Sequence, residues 1–224
     1  RREITARITA TAAQLEEELR SSFAQATWYC RGETLGGEEA GNLSRAVSEL
    51  ADTTFAKPPV IHSELVNREQ PSSNSQAAVR ALLHAMAENP EEPFCGIEGF
   101  PAERGLYSTI LKVSGLHKKQ KDGTYSFGAP SSRRPGASFK PLWREAEQIL
   151  DKENGIVPLS AIYEVWTQPP FGIRRGLLPI LALAFIQANR RSLAVFAEKV
   201  FPPPSDLYPV HLLLTNEQHI GLCP

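Results

Sequence analysis

The chain has 224 residues with 42% hydrophobic content and a formal net charge of -1, so it can bury a sizeable core in one large or two to three small domains. Its three cysteines are far apart and outside any CxxC pair, which argues against a disulfide framework and for a reducing, cytoplasmic compartment. The uncharged run from Gly176 to Ile186 is far shorter than the ~20 residues that cross a bilayer, so we expect no membrane span.

The charge is unevenly distributed along the chain. Residues 1–100 carry nine Lys or Arg against fifteen Asp or Glu, whereas residues 117–144 carry seven against Asp122 alone. We expect the first region to repel phosphate and the second to attract it. The chain also opens with Arg1 inside a helical pattern, so we expect it to be a segment of a longer polypeptide.

Residues 1–57 are predicted to form an acidic helical lead-in. In "TAAQLEEELRSSFAQATWYC" the apolar residues Leu15, Leu19 and Phe23 recur at helical spacing, with glutamates on the solvent-exposed face. The loop "GETLGGEEAG" follows, and "NLSRAVSELADTTF" predicts a second helix that the prolines after Lys57 stop.

Residues 58–130 are predicted as a winged-helix-like unit that ends in a basic hairpin. "VIHSELVNR" predicts one or two helical turns, and Ser72 or Ser73 is placed to cap the helix "SQAAVRALLHAMAEN". A third helix is expected from Pro101 to Gly115. "HKKQKDGTYSFGAP" then predicts a hairpin with its turn at Asp122-Gly123.

Residues 131–139 are predicted to be a linker, and residues 140–224 a winged helix-turn-helix domain. Three helical patterns are followed by short strands. This is the layout of a winged helix-turn-helix, in which the third helix contacts DNA. The fold class expected is therefore mainly α with small β-hairpins (α+β). No internal sequence repeat supports the first unit, so two winged units in tandem remain one alternative.

The predicted third helix, "GIRRGLLPILALAFIQANRR", is apolar on too many sides to lie on the surface. Pro179 predicts either a kink or the true start of the helix. We place Arg174 and Arg175 in the first turn, where the helix dipole disfavours cations, so an anion such as DNA phosphate would relieve the cost. The alternative is that both reach into water or pair with Glu164. Two further arginines, Arg190 and Arg191, are predicted to cap the far end.

The predicted basic hairpin supplies a second candidate contact with nucleic acid. Lys118, Lys119 and Lys121 lie where a wing would touch the DNA backbone, and Arg133 and Arg134 would add linker contacts. The alternative is a solvated hairpin whose lysines keep other sheets away.

No catalytic or cofactor motif is found. The five histidines form no HExxH pattern, and neither GxxxxGK[ST] nor GxGxxG occurs, so we expect no metal, nucleotide or other cofactor and no enzymatic activity in this segment.

Four stretches together resemble a known family: "ATWYCRGE", "PPVIHSELVNREQPSSNSQAAVRALLHAM", "GIEGFPAERGLYSTILKVSGLH" and "PPFGIRRGLLPILALAF". In this order they are similar to the region downstream of the P-loop module in large bacterial phage-defence ATPases of the BREX and PglY-like types. The resemblance implies an accessory region that links an ATP-hydrolysing part to DNA or to a partner subunit. The Walker residues have no counterpart in this chain.

Two hypotheses follow from the sequence. The first is a non-catalytic winged-helix segment that binds double-stranded DNA through its phosphates. The second is a protein-interaction scaffold within a multi-domain or multi-subunit defence complex, in which the "PPFGIRRG" turn is buried against another subunit.

Overall fold

A computed structural model describes residues 2–30, 32–35, 42–63, 65–66, 72–153, 155–198, 200–201 and 210–224, without the side chains of Arg2 and Ala24. These residues are mainly helical with small antiparallel sheets, as the sequence predicts. The chain divides into two compact units, Arg1–Thr54 and Phe55–Pro224.

The described residues of the first unit form two helices and a small hairpin. Helix α1 spans Arg2–Gln25, strands β1 (Tyr29–Cys30) and β2 (Glu33–Thr34) pair antiparallel, and helix α2 spans Leu43–Thr54. Helix α1 ends before the predicted residue 30, because the chain turns back and Trp28 stacks on Phe23 with ring centroids 5.8 Å apart. None of the residues described in this unit is buried.

The second unit begins with an irregular segment and helix α3, Ser73–Glu88. The predicted cap is confirmed, because Ser72 Oγ accepts a hydrogen bond from the Ser75 amide at 3.2 Å. The predicted helical turn at 60–68 is wrong for residues 60–63, which are irregular, and the Val60 amide donates to Ser138 Oγ at 2.9 Å. Most of the remainder of that turn lies outside the described residues.

Helix α4 begins as Ala102–Leu106 and continues as a π-helical segment, Tyr107–Lys112. Pro101 is its cap residue rather than its first helical residue, and Gly115, with φ of 73°, ends it as predicted. The wide π turn shifts the helix phase, so Val113 is exposed and Ser114 is buried in its place. The predicted hairpin is confirmed as β3 (His117–Lys119) paired with β4 (Tyr125–Phe127).

Four α-helices and three strands follow in the described residues after 139. They are α5 (Lys140–Lys152), β5 (Val157–Pro158), α6 (Leu159–Thr167), α7 (Leu178–Ala188), β6 (Ala194–Ala197), α8 (Val210–Thr215) and β7 (Ile220–Cys223). The strands form one antiparallel sheet in the order β5-β7-β6. One hydrophobic core cluster includes residues on both sides of the segment 131–139, and Phe139 within that segment is itself buried.

Helix α7 lies inside this core. Every residue from Leu178 to Gln187 is buried, as expected from its all-round apolar sequence. Pro179 is in its first turn, so the alternative that this proline marks the helix start is confirmed. The placement of Arg174 and Arg175 in the first turn is wrong: both precede the helix in successive turns, in which their carbonyls accept from the amides of Leu177 and Leu178.

One buried hydrogen bond and one aromatic contact fix α7 in the second unit. The Gln187 side-chain amide donates to the Met86 carbonyl in the last turn of α3, against which α7 packs. Phe185 contacts the ring of Trp143 on α5, with centroids 4.9 Å apart. Trp166 on α6 is also buried, and its indole N–H donates to the Leu142 carbonyl at 3.1 Å.

Candidate nucleic-acid interface

All seven cations predicted to contact nucleic acid lie on the surface. They are Lys118, Lys119, Lys121, Arg133, Arg134, Arg174 and Arg175, and each is exposed. None of them forms a salt bridge with another residue in the described parts of the chain. Their charges are therefore not neutralised by a described neighbour.

The β3 strand separates two of these lysines. Neighbouring residues of a strand point to opposite faces, so Lys118 and Lys119 project from different sides of the hairpin. Lys118 is opposite Ser126, whereas Lys119 is opposite Tyr125 on the face that carries buried His117. The two lysines therefore do not form a single flat contact surface.

The hairpin tip lies beside the C-terminal end of α7, and the two enclose a groove of about 800 Å³. Lys121 comes from the tip, and Arg190 and Arg191 come from the residues after α7. We call this the basic groove, defined by Lys121, Arg190 and Arg191. Its wall also includes uncharged polar residues, among them Gln120, Thr124, Ser126, Asn189 and Ser192, and the apolar residues Phe127 and Ala188.

Two carboxylates reduce the positive charge of the basic groove. Glu91 lies in its wall and pairs with Arg190 at 3.3 Å, but both side chains are exposed, so water screens the pair. Asp122 accepts hydrogen bonds from the Thr124 hydroxyl and amide, which lower the pKa of its carboxyl and keep it ionised. Three cations therefore face two anions, and a modest positive balance remains.

Sequence reasoning assigned Arg190 and Arg191 to capping α7. In the structure Asn189 performs that role, because its side-chain amide donates to the Phe185 carbonyl at 2.9 Å. The arginines are thereby left at the surface beside Lys121. No local pattern could have shown this grouping, since roughly seventy residues separate the hairpin from the end of α7.

The remaining predicted cations lie elsewhere. Arg174 and Arg175 precede α7, whose 11 residues span about 16 Å and separate them from the basic groove. Arg133 and Arg134 follow Ser131, whose amide donates to the Ser114 carbonyl at the end of α4. The structure thus brings Lys121 together with Arg190 and Arg191, but not with Arg174 and Arg175.

Sequence reasoning also missed a buried polar cluster of Cys95, Tyr107 and His117. The His117 Nε2 lies 2.8 Å from the Pro90 carbonyl, which can only accept, so Nε2 carries the proton and Nδ1 is an acceptor. The Tyr107 hydroxyl is 2.7 Å from Nδ1 and donates to it, and Cys95 Sγ lies 3.8 Å from the same atom.

All three groups of this cluster are neutral. Burial raises the pKa of the Cys95 thiol to about 12, raises the pKa of Tyr107 and lowers the pKa of His117. Each residue is at most 2% exposed, so neither water nor a substrate reaches the thiol. A reactive cysteine needs a thiolate and access, so we interpret the cluster as a support that fixes β3 against α4.

The sheet of the second unit has an apolar outer face. Pro158, Phe196 and Gly221 are adjacent on three strands and, together with Ile156, border a groove of about 700 Å³. Phe201 is 58% exposed and contacts Phe196 edge to face, with ring centroids 5.9 Å apart. Apolar surface of this kind is typical of a contact site.

No model of a known protein family, no curated protein and no solved structure matches the chain. Within the described residues, no group of three or more histidine, cysteine or acidic side chains could hold a metal ion. Among the helices in the described ranges, none has the length and apolar character needed to cross a bilayer.

Proposed function

We propose that this chain is a non-catalytic accessory segment that binds nucleic acid through backbone phosphates at the basic groove. The observation that carries the proposal is the convergence of Lys121, Arg190 and Arg191 from two distant parts of the chain around one polar groove. Cations in a polar groove of this kind favour phosphate oxygens as ligands. The family resemblance extends the proposal to a larger bacterial phage-defence ATPase as the parent protein.

We propose further that residues 140–224 have the winged helix-turn-helix architecture. The elements run helix, strand, helix, helix, strand, helix and strand, so α8 is inserted between the last two strands of the winged-helix order. The sheet order β5-β7-β6, with the last strand central, supports the assignment. In such a domain α7 would occupy the position of the recognition helix. Because α7 is buried, it has no free face for base edges, and the proposed contact is to phosphates without sequence choice.

Fluorescence anisotropy with a labelled duplex tests the proposal. Charge reversal by Lys121→Glu together with Arg191→Glu should abolish binding at 50 mM salt, because each change replaces an attraction to phosphate with a repulsion. The matched control, Arg174→Glu together with Arg175→Glu, changes the charge by the same amount at the other end of α7 and should retain affinity. Equal losses in the two variants, or no binding by the unaltered chain, would reject the basic groove as the site.

A second candidate function, a protein-interaction scaffold, is favoured by the apolar outer face of the β5-β7-β6 sheet. Ile156 borders the groove on this face, Phe201 contacts Phe196, and both are more than half exposed. We expect another domain or subunit of the defence complex to cover them. Aspartate at Ile156 and Phe201 in the intact parent assembly should release a subunit in sedimentation velocity, whereas Val60→Asp, at an exposed apolar residue elsewhere, should not. An assembly of unchanged mass would reject the scaffold.

A further inference from the structure

Helix α1 exposes a full-length apolar stripe. Every α1 side chain that the structure describes is exposed, including Ile4 and Ile8 at 64%, Leu15 at 56%, Leu19 at 49% and Phe23 at 55%. Helical stability in proteins comes mostly from packing an amphipathic face. Apart from the ring of Trp28, which stacks on Phe23 at one end, no described residue outside α1 is seen to cover this stripe. A 24-residue helix with an exposed apolar stripe is expected to pack against a partner.

The stripe repeats every 11 residues. Ile4, Ile8 and Ala12 are followed, each 11 positions later, by Leu15, Leu19 and Phe23. An 11-residue repeat gives 3.67 residues per turn, which is close to the period of a free α-helix. The apolar stripe therefore runs almost straight along α1, and a second helix can follow it from end to end with little supercoiling.

We propose that α1 pairs antiparallel with α1 of a second copy of this chain. The repeat makes the helix complementary to itself in this direction. When Ile8 of one copy is opposite Leu19 of the other, Ile4 is opposite Phe23 and the small Ala12 is opposite the large Leu15. A two-fold axis at the helix centre repeats each of these contacts, as required for a closed dimer.

The charges beside the stripe favour the antiparallel direction. Arg7 and Glu18 are also 11 residues apart, so they lie on the same flank of the stripe. Antiparallel pairing sets Arg7 of one copy beside Glu18 of the other, twice per dimer, whereas parallel pairing sets neither against the other. Within the described residues Arg7 has no ion-pair partner, while on the opposite flank Arg20 already pairs with Glu16 at 2.8 Å.

This pairing uses only the first unit and does not depend on the basic groove. The proposed nucleic-acid binding and the proposed dimer can therefore fail separately. The Ile8→Glu and Leu19→Glu variants should keep the affinity for duplex DNA per chain that the unaltered protein has.

Sedimentation equilibrium of the 224-residue chain measures the dimer directly. We expect a mass near twice the 24.7 kDa of one chain at tens of micromolar. Ile8→Glu or Leu19→Glu should give the monomer mass, because each puts a charge into the apolar contact. Ala6→Glu, on the opposite side of the same helix, is the matched control and should leave the dimer intact.

A complementation experiment tests the direction of pairing. Arg7→Glu and Glu18→Arg should each weaken the dimer roughly tenfold, because each turns two attractions into two repulsions. Mixing the two variants should restore the dimer, since all facing charges are then opposite. Glu17→Arg, on the solvent side, should have little effect.

A monomeric unaltered chain would overturn the second copy as the occupant of the stripe. A dimer that survives both Ile8→Glu and Leu19→Glu would show that another surface mediates it. Variants that weaken the dimer alone but do not complement one another would overturn the antiparallel direction.

Discussion

The hydrogen bond from Gln187 to Met86 should stabilise the packing of α7 inside the second unit. Gln187 is 3% exposed, and its amide donates to a carbonyl in the last turn of α3, where helical carbonyls have no partner within their own helix. Replacing it by leucine introduces an apolar side chain of similar size and removes the donor. The Met86 carbonyl would then be buried without a hydrogen bond.

The expected cost follows from that lost donor. A buried, unsatisfied carbonyl costs about 1–3 kcal/mol, and the added apolar contact of leucine offsets part of it. We therefore expect Gln187→Leu to lower the free energy of unfolding by about 1–2 kcal/mol. In a chain of this length that corresponds to a Tm lower by roughly 2–8 °C.

Gln187→Glu provides the stricter comparison, because its shape is unchanged. At pH 7 a buried carboxylate would face the Met86 carbonyl, and an uncompensated buried charge costs about 3–5 kcal/mol. Burial raises the pKa of such a carboxyl, so stability is lost as pH rises through that pKa. Relative to the unaltered chain, the deficit should therefore shrink at pH 5, where the protonated group can donate.

Urea unfolding followed by tryptophan fluorescence gives these free energies. Gln148→Leu, on the exposed side of α5, is the control and should change stability by less than about 0.5 kcal/mol. If Gln187→Leu were as stable as this control, or if the deficit of Gln187→Glu were independent of pH, Gln187 would not be the donor to α3.

Three further outcomes are expected. Burial lowers the pKa of His117, so below pH 6.5 the unfolded chain gains a proton that the folded chain does not. The free energy of unfolding should therefore fall between pH 7.5 and 5.5 by at most about 1.4 kcal/mol per pH unit. His117→Gln should flatten this slope in urea titrations at each pH. Gly136→Ala should lower the free energy of unfolding by about 1–3 kcal/mol, since its Cβ would lie 2.3 Å from the Ser114 carbonyl oxygen. The control Gly105→Ala, at a helical site with open space, should stabilise the folded chain. A Gly136→Ala variant with an unchanged melting temperature would contradict the packing. Ser72→Ala should cost about 0.5–2 kcal/mol through the lost α3 cap, and an unchanged Tm would show that the cap is dispensable.

Local sequence signals were sufficient for several of the helix and turn boundaries. Ser72 caps α3, Gly115 ends α4 in the left-handed region, and the turn at Asp122-Gly123 closes the hairpin. Each of these depends on the chemistry of one or two neighbouring residues, which the sequence displays directly. The all-round apolar pattern of α7 likewise predicted its burial.

Contacts between distant parts of the chain were not predictable in this way. The sequence carries no mark that places the hairpin tip beside Arg190 and Arg191, or Cys95 and Tyr107 beside His117. The exposure of Val113 was not predictable for a different reason, because a π-helical turn changes the regular helical period from which a buried face is predicted. The winged-helix assignment and the nucleic-acid contacts remain proposals.

The salt dependence of duplex binding tests the basic groove most directly. Three phosphate contacts, by Lys121, Arg190 and Arg191, should give a slope of log K against log salt near about -2.7, or a roughly 40-fold loss of affinity between 50 and 200 mM. Arg191→Gln should reduce the magnitude of that slope by about 0.9. Binding with no salt dependence, or a slope that Arg191→Gln leaves unchanged, would contradict phosphate recognition at this groove.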